Sequence, residues 1–151
     1  MKKNNYKGFT IIELLVVVVI IAVLAVIVMT NITQYINRGK NSAIKANLGT
    51  VTTNGAVFLK DNGNLNGFCG DPYFTVPQIA IANAGGTAIC DCDMAGCGSI
   101  PADSSAWCSC STLVPVGDGN TFCVDSRGFK GEFNDTCANR CNQLTGAFCQ
   151  S

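Results

Sequence analysis

From Leu14 to Met29 the chain runs through sixteen consecutive apolar residues. A helix rises about 1.5 Å per residue and a bilayer core is about 30 Å thick, so this run, extended back through Phe9–Ile12, is long enough to span one. Val and Ile are poor helix formers in water, but in lipid the backbone must satisfy its own hydrogen bonds, and for one segment only a helix does that. No Gly or Pro interrupts the sequence between Phe9 and Arg38. Past Gly39 the pattern becomes amphipathic. Ile44, Leu48, Val51 and Phe58 recur near helical spacing, with Gly55 and Leu59 beside the stripe and Lys40, Asn41, Lys45 and Asn47 elsewhere. One helix is therefore predicted over residues 9–61: 9–36 the membrane-spanning part, 37–61 amphipathic with one face laid on a globular head. It should end near Asp61-Asn62-Gly63, where Gly63 can take a left-handed cap.

Residues 62–151 form the predicted head. Residues 62–67 are turn-rich, and 75–89 are mildly apolar, with a short helix ended by Gly85. Strands are predicted over Ala106–Val114, Thr121–Asp125 and Phe129–Phe133. The turns Gly117-Asp118-Gly119-Asn120 and Ser126-Arg127-Gly128 separate them, and such short loops imply an antiparallel meander. In the tail, Asp135 or Thr136 can cap a short helix that puts Cys137 and Cys141 on one face. The expected fold class is α+β: a long N-terminal helix packed on a small antiparallel sheet with disulfide-rich loops.

Formal net charge is zero, from ten basic and ten acidic residues, but its distribution is uneven. From Asp61 onward there are three basic residues and nine acidic ones, whereas the preceding helix carries Arg38, Lys40, Lys45 and Lys60. A basic helix beside an acidic head is complementary, within one subunit or between two, and an acidic head argues against a nucleic-acid surface of its own.

The chain has no His, which removes the commonest general base and metal ligand. There is also no P-loop, no G-x-S-x-G and no C-x-x-C-H motif, so an enzyme is not expected. All ten cysteines (Cys69, Cys90, Cys92, Cys97, Cys108, Cys110, Cys123, Cys137, Cys141 and Cys149) lie in the head. In an exported segment this dense in Cys, disulfides are the default. Their pairing cannot be read from spacing. A thiolate metal site is the competing reading, but the spacings are C-x-C and C-x4-C rather than the paired C-x2-C of zinc sites. Asn62, Asn64 and Asn66 followed by Gly67 imitate the start of a calcium loop. The first position lacks a carboxylate, however, and the twelfth is Tyr73. No cofactor is expected.

The remaining feature is Glu13, a lone carboxylate at the head of the apolar run, with Lys2, Lys3 and Lys7 in front of it. The lysines predict a cytoplasmic N-terminus, and the chain beyond the run then lies outside the cytoplasm. A charge in hydrocarbon costs about 2.5–3.5 kcal/mol on insertion scales, so Glu13 needs a partner or a function. A secretory signal peptide would need a shorter apolar core, about 7–15 residues, and a small-residue cleavage site after it, which residues 30–36 lack. A plain transmembrane anchor leaves Glu13 incidental. The third reading rests on Lys7-Gly8-Phe9-Thr10-Ile11-Ile12-Glu13, which resembles the leader of type IV pilins and the pseudopilins of type II secretion over roughly the first forty residues.

The resemblance implies that residues 1–8 are a leader. A dedicated aspartyl peptidase would cut between Gly8 and Phe9 and N-methylate Phe9. Glu13 would pair with the Phe9 ammonium of a neighbouring subunit, offsetting the burial of both charges and setting axial register. The apolar run would serve first as a single-pass inner-membrane anchor and later as the core of a helical homo-oligomeric filament, extracellular or periplasmic. Other pilins and an inner-membrane assembly platform would be its partners. Some pseudopilins bind calcium in a later loop, so the resemblance leaves calcium open. Two functions are implied: a structural filament subunit, or a minor pilin or pseudopilin whose head binds a surface, cargo or partner.

Overall fold

The computed structural model describes residues 8–92, 106–141 and 147–149. The predicted α+β fold is present. The first helix, α1, is assigned over Ile11–Asn62, starting two residues later and ending one residue later than the sequence predicts. Residues up to Ile36 and residues from Asn37 form separate compact units, and each is taken by itself.

In the first unit the large apolar side chains from Ile11 to Met29 are all exposed. Among the described residues α1 is the one helix long and apolar enough to cross a membrane.

In the second unit Ile44, Leu48, Val51 and Phe58 of α1 are buried in one cluster with Phe68, Phe74, Ile81, Trp107 and Val124, so the amphipathic stripe faces the core as predicted. Gly55 sits in that stripe because nothing larger fits. A Cβ there would lie 2.6 Å from Nε1 of Trp107. Gly63 closes α1 with φ 75° and donates its amide to the Leu59 carbonyl at 2.8 Å, the left-handed cap expected of glycine.

A 3-10 turn, Phe68–Gly70, leads into α2, Pro72–Asn83. The helix begins three residues before the apolar stretch 75–89 in which a short helix is predicted. Its start signal is Asp71-Pro72: the Asp71 carboxylate accepts the Tyr73 amide at 2.9 Å, and Pro72 occupies a first-turn position that has no amide to lose. Pro77, inside α2, cannot donate to the Tyr73 carbonyl four residues back. Asn54 of α1 supplies the missing donor, its Nδ2 reaching that carbonyl at 2.6 Å. This side chain both docks α2 on α1 and satisfies the backbone that Pro77 leaves open.

Four antiparallel strands follow in the order β1-β2-β3-β4: Ala88–Cys92, Trp107–Thr112, Asn120–Asp125 and Lys130–Asn134. The last three are the predicted meander, shifted by one or two residues at most ends. β1 falls where only a cysteine cluster was read. The edge of β1 is met by α2, where Gln78 Nε2 donates to the Ala88 carbonyl at 3.2 Å. The basic-helix, acidic-head complementarity operates within the subunit through the ion pair of Lys45 with Glu132 on β4.

Side chains alternate across the sheet. Trp107 and Val124 face α1, while Cys108, Cys110 and Cys123 face the other way into a second buried cluster. The last helix, α3 (Cys137–Arg140), lies on that side with Thr136 at its N-cap position.

Candidate functional site

Three places carry the chemistry that the sequence singled out. The first is the start of α1. Gly8 is exposed, with open space where a side chain would stand, and Phe9 is 81% exposed. The Gly8–Phe9 bond is therefore open to a protease. Thr10 precedes the first helical residue and forms a reciprocal pair with Glu13. The Glu13 carboxylate accepts the Thr10 amide at 2.9 Å and the Thr10 hydroxyl at 2.7 Å. In return the Thr10 hydroxyl accepts the Glu13 amide at 3.3 Å. This is a capping box, which satisfies two of the four amides that a helix start leaves open and sets an acidic group against the positive end of the helix dipole. Within a single chain Glu13 already has a partner. Thr10 is a residue that sequence reasoning missed, although the T-x-x-E spacing before an apolar run announces it.

The second is the disulfide system. Cys69 of the 3-10 turn bridges Cys90 of β1, Cys108 and Cys110 of β2 bridge Cys141 and Cys137, and Cys123 of β3 bridges Cys149. Cys92 is also disulfide-bonded, and Cys97 lies outside the described residues. Three bridges converge on the sheet face turned away from α1 and fasten the C-terminal segment across it. Asp125 completes that attachment. Fully buried at the end of β3, it accepts the Arg127 and Phe129 amides at 2.9 and 3.1 Å with one oxygen. With the other it accepts the Arg127 guanidinium at 2.9 Å and the Cys149 amide at 3.2 Å. Arg127 in turn lies over the ring of Phe148, 3.8 Å from its centroid. The buried charge is thus paired and hydrogen-bonded, and it serves the fold.

The third is a groove of about 500 Å³ between the second part of α1 and the start of α2, lined among others by Asn47, Asn54, Asp71, Tyr73, Val76 and Pro77. The loop 62–67, read as an imitation of a calcium loop, is a turn in which Asn64 Oδ1 accepts the Asn66 amide at 3.0 Å. Among the described residues no group of three or more His, Cys, Asp or Glu side chains is gathered to hold a metal.

Comparison with known families gives a match at the N-terminus. Residues 3–29 fit the prokaryotic N-terminal methylation motif, the signature of type IV pilins and pseudopilins. No curated protein and no solved structure matches the chain.

Proposed function

Proceeding from that motif, we propose that the chain is a structural subunit of a type IV pilus or pilus-like filament. It is made as a single-pass inner-membrane precursor with its N-terminus in the cytoplasm. A prepilin peptidase cuts between Gly8 and Phe9 and methylates the new Phe9 amine, and an inner-membrane platform polymerises the product through its N-terminal helix. The observation that carries this reading is the conjunction at the start of α1: an accessible Gly8–Phe9 bond, a carboxylate four residues on, and behind them an apolar helix with no covering partner in its own unit.

The chemistry is consistent with these roles. Cleavage turns the Phe9 amide into an ammonium at the positive end of a helix dipole, where a cation is disfavoured by about 0.3–1 kcal/mol. A carboxylate beside it removes that penalty. In the filament the Glu13 of a neighbouring subunit meets the Phe9 ammonium, so that two charges otherwise costly in an apolar core neutralise each other at one axial spacing.

Intact mass of the membrane-extracted protein tests the processing steps. It should show loss of residues 1–8, one added methyl group, and ten hydrogens missing through oxidation of the ten cysteines. An intact Met1 would sink the reading at its first step. Glu13→Val should still be cut after Gly8 but assemble poorly, and normal filaments from that variant would remove the register role. The Cys-fastened head favours a second reading, a minor pilin or type II secretion pseudopilin whose head binds a surface or cargo. Subunit abundance in sheared filaments separates the two.

A further inference from the structure

The groove between α1 and α2 has walls of Val76, Pro77 and the Tyr73 ring, with Val76 62% exposed and Tyr73 40% exposed. Its asparagine and threonine side chains each donate a hydrogen bond inside the chain. Asn54 Nδ2 goes to the Tyr73 carbonyl, Asn47 Nδ2 to the Ala43 carbonyl at 2.9 Å, and the Thr50 hydroxyl to the Ala46 carbonyl at 3.2 Å. The lining therefore sets acceptor oxygens beside its apolar walls. One of them carries full charge: Asp71 accepts the Tyr73 amide with a single oxygen and makes no ion pair among the described residues. An apolar trough with acceptors, a carboxylate and an exposed aromatic ring suits a segment that is apolar and cationic.

The same chain displays such a segment. Tyr35 and Ile36 are 70% and 51% exposed, and Arg38 and Lys40 follow, both exposed. Lys45 is engaged by Glu132, but neither Arg38 nor Lys40 makes an ion pair among the described residues. Gly39 between them has open space where a side chain would stand, which lets another surface approach the backbone closely.

Arg38 and Lys40 cannot reach their own Asp71. Tyr73 is bonded to Asn54, and Asp71 lies on the far side of it, beyond which Phe68 packs on Phe58 at 5.5 Å. Lys40 is fourteen residues before Asn54 on α1, or about 21 Å along the axis. We propose that the groove seats residues 35–40 of a second copy of the chain, with the Arg38–Lys40 cations against Asp71 and Tyr73 and the Tyr35–Ile36 side chains against Val76 and Pro77. The proposal uses the filament reading only in requiring copies side by side.

Zero-length carbodiimide coupling tests it, performed on cells producing the full chain and on cells producing the Arg38→Lys variant, which keeps the charge and adds a reactive amine. The expected product is a peptide pair joining Asp71 to Lys40, or to position 38 of the variant. At the separation above, it can arise only between copies. Val76→Lys, a surface change that places a cation in the trough, should abolish this product while leaving the disulfides intact. Coupling of Asp71 to neither position, or a product undiminished by Val76→Lys, overturns the proposal. Failure of the filament reading registers separately, as absence of filaments on untreated cells; where filaments form, the coupling tests the groove itself, because the offset of about 21 Å along α1 requires copies staggered along their axes.

Discussion

On one face of the β1–β4 sheet, Trp107 and Val124 meet Ile44, Leu48, Val51 and Phe58 of α1 with Phe68 and Phe74 alongside; on the other, Cys108, Cys110 and Cys123 meet Cys137, Cys141, Ala147 and Cys149. The first face is held mainly by apolar area and shape, a core that any sequence of the right size and pattern could build, with the Cys69–Cys90 bridge at its edge. The second is held by covalent bonds. Among the described residues the C-terminal segment brings Cys137, Cys141, Ala147 and Cys149 to it and no large apolar side chain. The two sheet faces are thus covered by largely unlike means, and they should fail under unlike conditions.

The largest effect should come from reduction. Bridges closing segments of 33, 27 and 26 residues each restrict the unfolded chain, worth about 3–4 kcal/mol apiece on the chain-entropy account. A native domain has only about 5–15 kcal/mol in hand. Full reduction of the detergent-solubilised protein should therefore release the C-terminal segment and, with it, most of the head's cooperative structure. Hydrogen exchange would read this as lost protection in β2–β4. Retained protection in a fully reduced sample would mean that the second face is held by packing after all.

Next in size is Trp107→Ala, which empties the first face. Removal of a fully buried Trp costs about 3–5 kcal/mol. The loss should appear in thermal unfolding with the disulfides intact. Since the bridges on the far face survive, the C-terminal segment should stay attached, and peptide mapping should find Cys123–Cys149 unchanged. A smaller effect on the same contact comes from Gly55→Ala. Alanine gains about 1 kcal/mol in helix propensity but drives a methyl into the indole, and overpacking costs about 1–3 kcal/mol, so a net loss of about 1 kcal/mol is expected. If Gly55→Ala stabilises the protein, Trp107 is free to move and the first face is looser than its burial implies.

The two faces also differ in how far the sequence disclosed them. The α1 stripe was legible because helical spacing sorts Ile44, Leu48, Val51 and Phe58 onto one side whatever they touch. The start of α2 was missed because Thr75 and Val76 drew attention from Asp71-Pro72, a cap followed by a proline that loses nothing. β1 is hidden because Cys90-Asp91-Cys92 reads first as potential bridges, whereas its alternation of apolar Cys and polar Asp is a strand pattern. The convergence of three bridges was not legible at all. Cys110 and Cys123 stand directly opposite each other on β2 and β3, yet each bonds into the tail instead. Pairing is decided by where α3 and the C-terminal segment come to lie, which is a tertiary fact. At the head of α1 the motif residues Gly8, Phe9 and Glu13 were read at once, and Thr10 between them was passed over because Glu13 was treated as a charge seeking a distant partner.

The smallest effect sharpens the comparison at the edge of the second face, where α3 begins. The Thr136 hydroxyl makes no capping bond; the preceding residue substitutes for it. One Asp135 oxygen accepts the Thr136 amide at 2.7 Å and the Asn139 side chain at 2.9 Å, and the other lies 3.2 Å from Arg140 Nε. These contacts, the Asn139 hydrogen bond foremost, hold the Asp135 carboxyl below its ordinary range. A carboxyl whose pKa is depressed on folding contributes stability that is fully present above its unfolded pKa, about 3.9, and is lost as pH falls through the lower folded value. Asp135→Asn keeps an oxygen for the Thr136 amide and removes the charge. At neutral pH the variant should be slightly less stable than the parent. As pH falls from about 4 through the lower folded value the two should converge, because the parent's carboxyl then becomes protonated as well. The measurement is exchange protection of the α3 amides in both proteins across that window. The protection of β2–β4 should barely change, because three bridges hold the second face whether or not α3 is capped. If the loss at α3 instead spreads into the strands, then Asp135, and not the disulfides alone, fastens the C-terminal segment to the sheet.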